Sequence, residues 1–278
     1  MVDSRVVGLL RILKYGVLAL VISTVLFPAF VALSTSLKRQ GEVYSSPPKW
    51  IPSHFDFGNY VQMFKEVPLA HAFWNSFVIA GGATLLVVIA ALPAGYALAR
   101  YRFPGRRAVL FGILSIIMFS PIVIVISLFR LMASYHLIDK WYAVSVADAT
   151  FALPFSVWIM VGYLRSVPRD VEEAALVDGC TPFRAFAEIV IPLALPGLAT
   201  VVIFGFVQSW NEFLLAASLL TDPSKYPLPV AMFDFVGEHG VQWEYVTGAV
   251  LLSSLPVLVM FWLVQRWFIR GLTFGAVK

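Results

Sequence analysis

Residues 165–197, RSVPRDVEEAALVDGCTPFRAFAEIVIPLALPG, decide how this chain is read. They form the longest polar break on the side where basic residues gather. Asp170, Glu172, Glu173, Asp178 and Glu188 put five of the chain's sixteen acidic residues there. The local signals predict two short helices joined at a glycine. Pro168 suits a first helical position, where a missing N–H costs no bond. Glu172 and Glu173 then sit near the positive end of the helix dipole. Gly179 fits the left-handed residue that closes such a helix. Thr181 can cap the next helix with Pro182 in its first turn, although Arg184 stands where a capping box wants Glu. Phe183, Phe186, Ala187 and Val190 recur at helical spacing and predict one apolar stripe. Pro192 and Pro196 punctuate the entry into the next apolar run. A hairpin with one apolar face cannot bury it alone: lipid, its own bundle or a groove in another protein must cover it.

Working outward, the chain has 278 residues, 60% hydrophobic and 13% charged. Soluble domains carry about 25% charged residues, so most of this chain is solvated by something other than water. About 20 apolar residues span a bilayer as a helix, which leaves room for several spans. The net charge of +4 is spread over loops. That points to membrane lipid headgroups and not to nucleic acid. The lone Cys180 excludes an internal disulfide and a thiolate metal cluster. Arg5, Arg11 and Lys14 before an apolar run imitate a signal peptide, but no clean cleavage site follows, so a retained first helix is expected.

Six apolar runs predict an all-α, polytopic membrane protein: Gly16 to Leu33, Phe77 to Leu98, Ala108 to Phe129, Trp141 to Leu164, Leu195 to Leu220 and Tyr245 to Trp267. The second holds the small-residue patch Ala80-Gly81-Gly82-Ala83. Pro28, Pro121, Pro154 and Pro256 lie inside runs and are expected to kink helices, because neighbouring helices re-satisfy the freed carbonyls. Lys and Arg set the orientation. The N-terminus, the loop with Arg100, Arg102, Arg106 and Arg107, the loop with Arg165, Arg169 and Arg184, and the tail with Arg266, Arg270 and Lys278 outweigh the other side. Both termini and the 165–197 loop are therefore expected in the cytoplasm. The loop from Ser34 to Asn75 reads as irregular and turn-rich. No internal repeat is found, and one permease-sized domain over residues 1–278 is expected, with the 165–197 loop inside it.

Within the membrane runs, Asp148 and Glu212 are expensive. An acidic group at the bilayer centre costs about 2.5–3.5 kcal/mol on insertion scales, so each should face protein or a watery cavity. Gln208, Asn211 and Glu212 fall at i, i+3 and i+4 on one predicted helical face, next to Trp210. Amides and a carboxylate beside an aromatic plane suit a hydroxyl-rich ligand. The same residues equally suit a helix-to-helix polar contact. Asp148 lies about two turns into its helix, near enough to snorkel outward. His54, His71, His136 and His239 show no ligand spacing and read as solvated loop residues. There is no GxxxxGK[ST], no GxSxG and no intramembrane Ser/His pairing. No catalytic residue, bound cofactor or metal is therefore expected in this chain, and any energy must come from a partner.

Glu173-Ala174-Ala175, three residues, Gly179, nine residues, Ile189, two residues and Pro192 resemble the EAA loop of ABC importer permeases. Ile191 and Cys180 are mild departures from its usual Leu and Ala. Phe55-Asp56-Phe57-Gly58-Asn59-Tyr60 and Trp210-Asn211-Glu212-Phe213-Leu214 resemble stretches of carbohydrate permeases. Gly271-Leu272-Thr273-Phe274-Gly275-Ala276-Val277-Lys278 looks like the terminus of the MalG-like branch. The resemblance implies a type I importer permease with six spans and a cytoplasmic coupling-helix hairpin. It implies that Glu172, Glu173, Ala174, Ala175, Asp178, Gly179, Phe183, Phe186, Ile189 and Pro192 couple to an ATPase. Gln208, Trp210, Asn211, Glu212 and Asp148 would line the substrate pathway. The tail would reach toward the ATPase dimer interface. The implied partners are a MalF-like second permease, two ATP-binding subunits that use ATP and Mg, and an extracytoplasmic solute-binding protein in a prokaryotic plasma membrane. Import of glycerol phosphate esters is the nearest alternative. A stand-alone channel or carrier, or a membrane enzyme, is disfavoured by the coupling loop and the missing catalytic constellation.

Overall fold

A computed structural model describes residues 4–237 and 240–276. Apart from one short hairpin, pairing Val236–Gly237 with Gly240–Val241, the described elements are helical. In chain order the α-helices are α1 (Ser4–Ser36), α2 (Gln40–Val43), α3 (Gly58–Glu66), α4 (Leu69–Arg100), α5 (Arg106–Ser115), α6 (Pro121–Ser134) and α7 (Trp141–Ser166). There follow α8 (Arg169–Val177), α9 (Pro182–Ala185), α10 (Ile191–Leu193), α11 (Leu195–Trp210), α12 (Leu214–Leu219), α13 (Leu228–Ala231) and α14 (Trp243–Ala276). Four of the described helices are long and apolar enough to cross a bilayer, and up to six spans result if each of two bent pairs counts as one. His239, Val277 and Lys278 lie outside the described residues.

The prolines behave in two ways. Pro28, Pro93, Pro154 and Pro256 sit inside continuous helices. Pro121 does not kink a helix, as the sequence suggested, but starts a new one. Ser120 before it is extended, the conformation that a following proline imposes, and the chain turns by 95° between Arg106–Met118 and α6. A second corner, of 73°, separates Pro182–Leu193 from α11. The fifth run is also shorter than expected, because α11 ends at Trp210 and the chain restarts as α12.

The chain groups into two compact units. The first runs to Val67 and takes in Met232–Leu255. Here the loop after α1 is more ordered than its turn-rich composition predicted. The Asn59 amide is buried and donates to the Ser36 and Lys38 carbonyls (2.9 and 2.8 Å), satisfying backbone acceptors where α1 ends. Tyr60 Oη and Ser36 Oγ meet at 2.9 Å. Along α1, most side chains from Leu13 to Leu33 are apolar and exposed, a surface for lipid or another protein.

The second unit, Pro68–Ala231 with the chain from Pro256, is built on α4, α7 and α11. Small residues let these helices approach closely, as is common for helices in lipid. A methyl group added at Gly95 would lie 2.6 Å from Met160 Cβ, and one at Gly197 2.5 Å from Tyr163 Cγ. Ala80, Ala83, Ala91 and Ala152 are buried in the same way. Polar stitches hold the 220–231 segment to this core. Asn75 donates to the Ser224 and Tyr226 carbonyls, Trp141 Nε1 to the Lys225 carbonyl, and the Leu228 amide to Ser76 Oγ.

Asp139, in the left-handed region at φ 67°, accepts hydrogen bonds from the Thr221 and Asp222 amides (2.8 and 3.0 Å). Those two amides, with Lys225 at 3.5 Å, hold its carboxyl down at about 2. A carboxyl with a depressed folded pKa stabilises above its unfolded value near 4 and loses that contribution as pH falls through about 2. Thermal unfolding in detergent should show Asp139→Asn, which tolerates the same left-handed backbone, less stable than wild type at pH 7, with the gap closing as the pH approaches 2.

Candidate functional site

The hairpin between α7 and α11 obeys the local rules that its sequence announces. The α8 helix starts at Arg169, one residue later than expected, with the extended Pro168 as its capping residue. Gly179 adopts φ 89°, the Cys180 amide donates to the Ala175 carbonyl (3.0 Å) and the Gly179 amide to the Leu176 carbonyl (3.2 Å). This paired closure is the Schellman motif, and it satisfies carbonyls that the helix end would otherwise leave open. Two residues on, Thr181 Oγ1 accepts the Arg184 amide at 3.3 Å and Pro182 opens α9. Arg184, in the place of the expected capping Glu, pairs instead with Glu188 at 2.9 Å on the surface.

The apolar stripe does not form as one line. Phe186 to Val190 make a π turn, wider than the α-helical period on which the stripe was drawn. Val190 is buried and Phe186 packs inward against the Tyr96 ring (centroids 4.5 Å apart), whereas Phe183 stands 79% exposed. On α8 only Ala175 is buried. Val171, Leu176 and Val177 are exposed, the last at 87%, beside the exposed Glu173, Ala174 and Asp178. Ile189 is half-buried and Pro192 exposed. Glu172 departs from its neighbours. Its carboxylate turns inward, accepts a hydrogen bond from the Tyr96 hydroxyl and pairs with Arg100 Nε at 2.9 Å.

The second group of candidates is rearranged more strongly. Gln208, Trp210, Asn211 and Glu212 do not share one face, because the helix stops at Trp210. Glu212 bends forward, and its two oxygens accept the Leu215 and Ala216 amides (2.8 and 3.0 Å), capping α12. Trp210 is 2% exposed, stacked on Phe206 (5.4 Å) and edge-on to Phe77 (4.9 Å). Gln208 and Asn211 remain exposed. Asp148 does not snorkel. It is 3% exposed, and Ser209 Oγ donates to its Oδ2, which leaves Oδ1 buried without a hydrogen-bond partner. The sequence reading missed Ser209. Its signal was the place itself, a hydroxyl within the polar interruption of an apolar run.

Comparison with known proteins fits this geometry. The family described as binding-protein-dependent transport system inner membrane component matches residues 91–273, which include the hairpin. The chain belongs to that family. It is 35% identical over 253 residues to the sulfoquinovosyl glycerol transport system permease protein SmoH of Agrobacterium fabrum, covering 91% of this chain and 89% of that protein. It is 36% identical over 263 residues to the trehalose transport system permease protein SugB of Mycobacterium tuberculosis (93% and 94% covered). Against a subunit of a bacterial ABC transporter that imports the acidic polysaccharide alginate, the fold gives a TM-score of 0.77 at 23% identity, with 96% of this chain and 98% of that one aligned. The protein is thus an all-α, multi-pass ABC importer permease, of a family whose members are not themselves enzymes.

Two outcomes follow from the local geometry. No atom stands within 4 Å of a methyl group built at Gly179, so the cost of Gly179→Ala is backbone strain alone, about 1–2 kcal/mol. Gly179→Asn should cost less, and proteolysis of the hairpin ranks the two. Ser209→Ala removes the hydroxyl that serves the buried Asp148 and should lower stability by about 1.5–3 kcal/mol. In an Asp148→Leu background the same change should cost much less, as a double-mutant cycle of unfolding temperatures will show.

Proposed function

We propose that this chain forms half of the translocation pathway of a carbohydrate importer and passes motion from two ATP-binding subunits into its spans through the 165–197 hairpin. One observation carries the reading: Val171, Leu176, Val177 and Phe183 present apolar surface beside Glu173 and Asp178 on a hairpin whose turn is rigidly closed. An apolar patch rimmed by carboxylates on a loop of this kind fits a groove edged with basic groups. Ala174, exposed between them, allows close backbone approach. Phe186, Ile189 and the closing Gly179 support this surface from behind, and Pro192 ends the segment.

In this reading ATP and Mg belong to the partner subunits, which carry out hydrolysis, and both termini and the hairpin face the cytoplasm. A second permease covers part of the exposed apolar surface of α1 and α14. A solute-binding protein delivers cargo to the opposite face. The carbohydrate assignment rests on relatives named for trehalose and for melibiose, raffinose and stachyose. Gln208 and Asn211, the exposed polar residues near the end of α11, are the side chains of the original set best placed to meet cargo. Trp210, Glu212 and Asp148 support the pathway wall from behind. The alginate transporter solved with a pentasaccharide-bound periplasmic protein has the same fold (TM-score 0.65), which is in keeping with this assembly.

Affinity purification from the native membrane should bring down two ATP-binding subunits and a second permease. Phe183→Ala, by removing the largest exposed apolar side chain of the hairpin, should weaken retention of the ATP-binding subunits by about tenfold or more, since truncating a hot-spot aromatic costs about 2 kcal/mol or above. Glu173→Lys should act in the same direction. Full retention and normal uptake of trehalose or raffinose by both variants would refute the docking surface.

A further inference from the structure

Glu172 lies one residue from Glu173 yet serves a different surface. The Glu172 and Arg100 side chains are 15% and 8% exposed, and they face each other as a close ion pair. Arg100 is the last residue of α4, and its two terminal nitrogens both donate to the Val167 carbonyl at 3.1 Å, just past the end of α7. The first residue of α8, Arg169, reaches back and donates to the Arg100 and Ala99 carbonyls (3.0 and 3.4 Å). Those are among the last four carbonyls of α4, which no intrahelical amide can satisfy. Cationic groups at that end also complement the helix dipole. Tyr96, one turn back on α4, donates its hydroxyl to the other Glu172 oxygen. The start of α8 is therefore fastened to the ends of both α4 and α7, by the shielded Arg100–Glu172 pair and by the exposed Arg169.

We infer that Tyr96, Arg100 and Glu172 form a latch that makes the first turn of α8 and the end of α4 move as one body. The latch rests on the reading of the hairpin as the coupling element, and it reassigns Glu172 within it. Glu172 is a positioning residue that touches its own chain, whereas Glu173 faces outward. Chain connectivity alone ties α8 to α7. The latch adds α4, which packs along both α7 and α11 and extends for 32 residues. A displacement of the hairpin then reaches the three central helices together. Without the latch only the exposed Arg169 still reaches α4, and α8 can pivot more freely about the extended residues Val167 and Pro168.

The test uses the whole transporter in proteoliposomes, with the host's own solute-binding protein purified in its native loaded state as the probe. The readout is the stimulation of ATP hydrolysis by that protein, which requires communication through the spans. Glu172→Gln and Arg100→Gln should each reduce the stimulation by about tenfold, within the range that coupling between sites commonly spans. The ATP-binding subunits should still co-purify in wild-type ratio. The double variant should be no worse than either single one, because both break the same contact. Tyr96→Phe, which spares the ion pair, should reduce stimulation less. Unchanged stimulation in Glu172→Gln, or losses that multiply in the double variant, would overturn the latch. Release of the ATP-binding subunits by Glu172→Gln would overturn it too, by making Glu172 an assembly residue. Failure of the wild-type chain to retain those subunits would instead sink the docking reading, and the latch with it.

Discussion

Close approach of α4, α7 and α11 at small residues is the constraint from which the rest of the structure follows. In lipid no hydrophobic force drives helices together, since the surrounding chains are as apolar as leucine. Association depends on dispersion summed over many close contacts, which decays quickly with separation. Gly95 against Met160 and Gly197 against Tyr163 leave no room for even one methyl group. At the ends of the same helices, Arg100 and Val167 meet each other and the hairpin. The 73° corner before α11 then returns the chain to the bundle.

The same constraint decides the fate of polar groups. A hydroxyl in such an interface finds a backbone carbonyl, as Ser145 does at Ile79 and Thr84 at Ala80. A carboxylate has no such option, because it can only accept. Asp148 accepts from the Ser209 hydroxyl and, among the described residues, still keeps one oxygen without a hydrogen-bond partner. Glu212 escapes the difficulty at the end of α11 by using the free amides at the start of α12. Two acidic residues that looked alike in sequence therefore have opposite structural roles, set by the distance of each from a helix end.

How much was legible follows from how local each signal is. The Schellman turn at Gly179, the Thr181 cap and the positions of the long helices depend on a few adjacent residues, and these could be read directly. The inward turn of Glu172 could not, because its partners on α4 lie more than seventy residues away. Nor could the burial of Asp148, which needed the register of α7 against α11. The π turn at Phe186–Val190 shows a subtler limit. A stripe drawn at 3.6 residues per turn assumes the period it sets out to detect, and the turn from Phe186 to Val190 is wider; Phe183, in the short α9 before it, is exposed whereas Phe186 is packed.

That separation matters for transmission of force. A coupling element must be soft to its partner and stiff to its own chain. Phe183, in α9 before the π turn, is exposed, while Phe186 and Val190 are anchored in the bundle. On the other limb Glu172 and Arg169 bind the α8 backbone to helix ends, so the exposed residues Leu176 and Val177 sit on a braced platform. The hairpin is thus fastened at both limbs and exposed at its tip. In the proposed docking role, a push on Val177 or Phe183 would meet a turn in which the Gly179 and Cys180 amides are already paired with the Leu176 and Ala175 carbonyls, and would pass to the limbs.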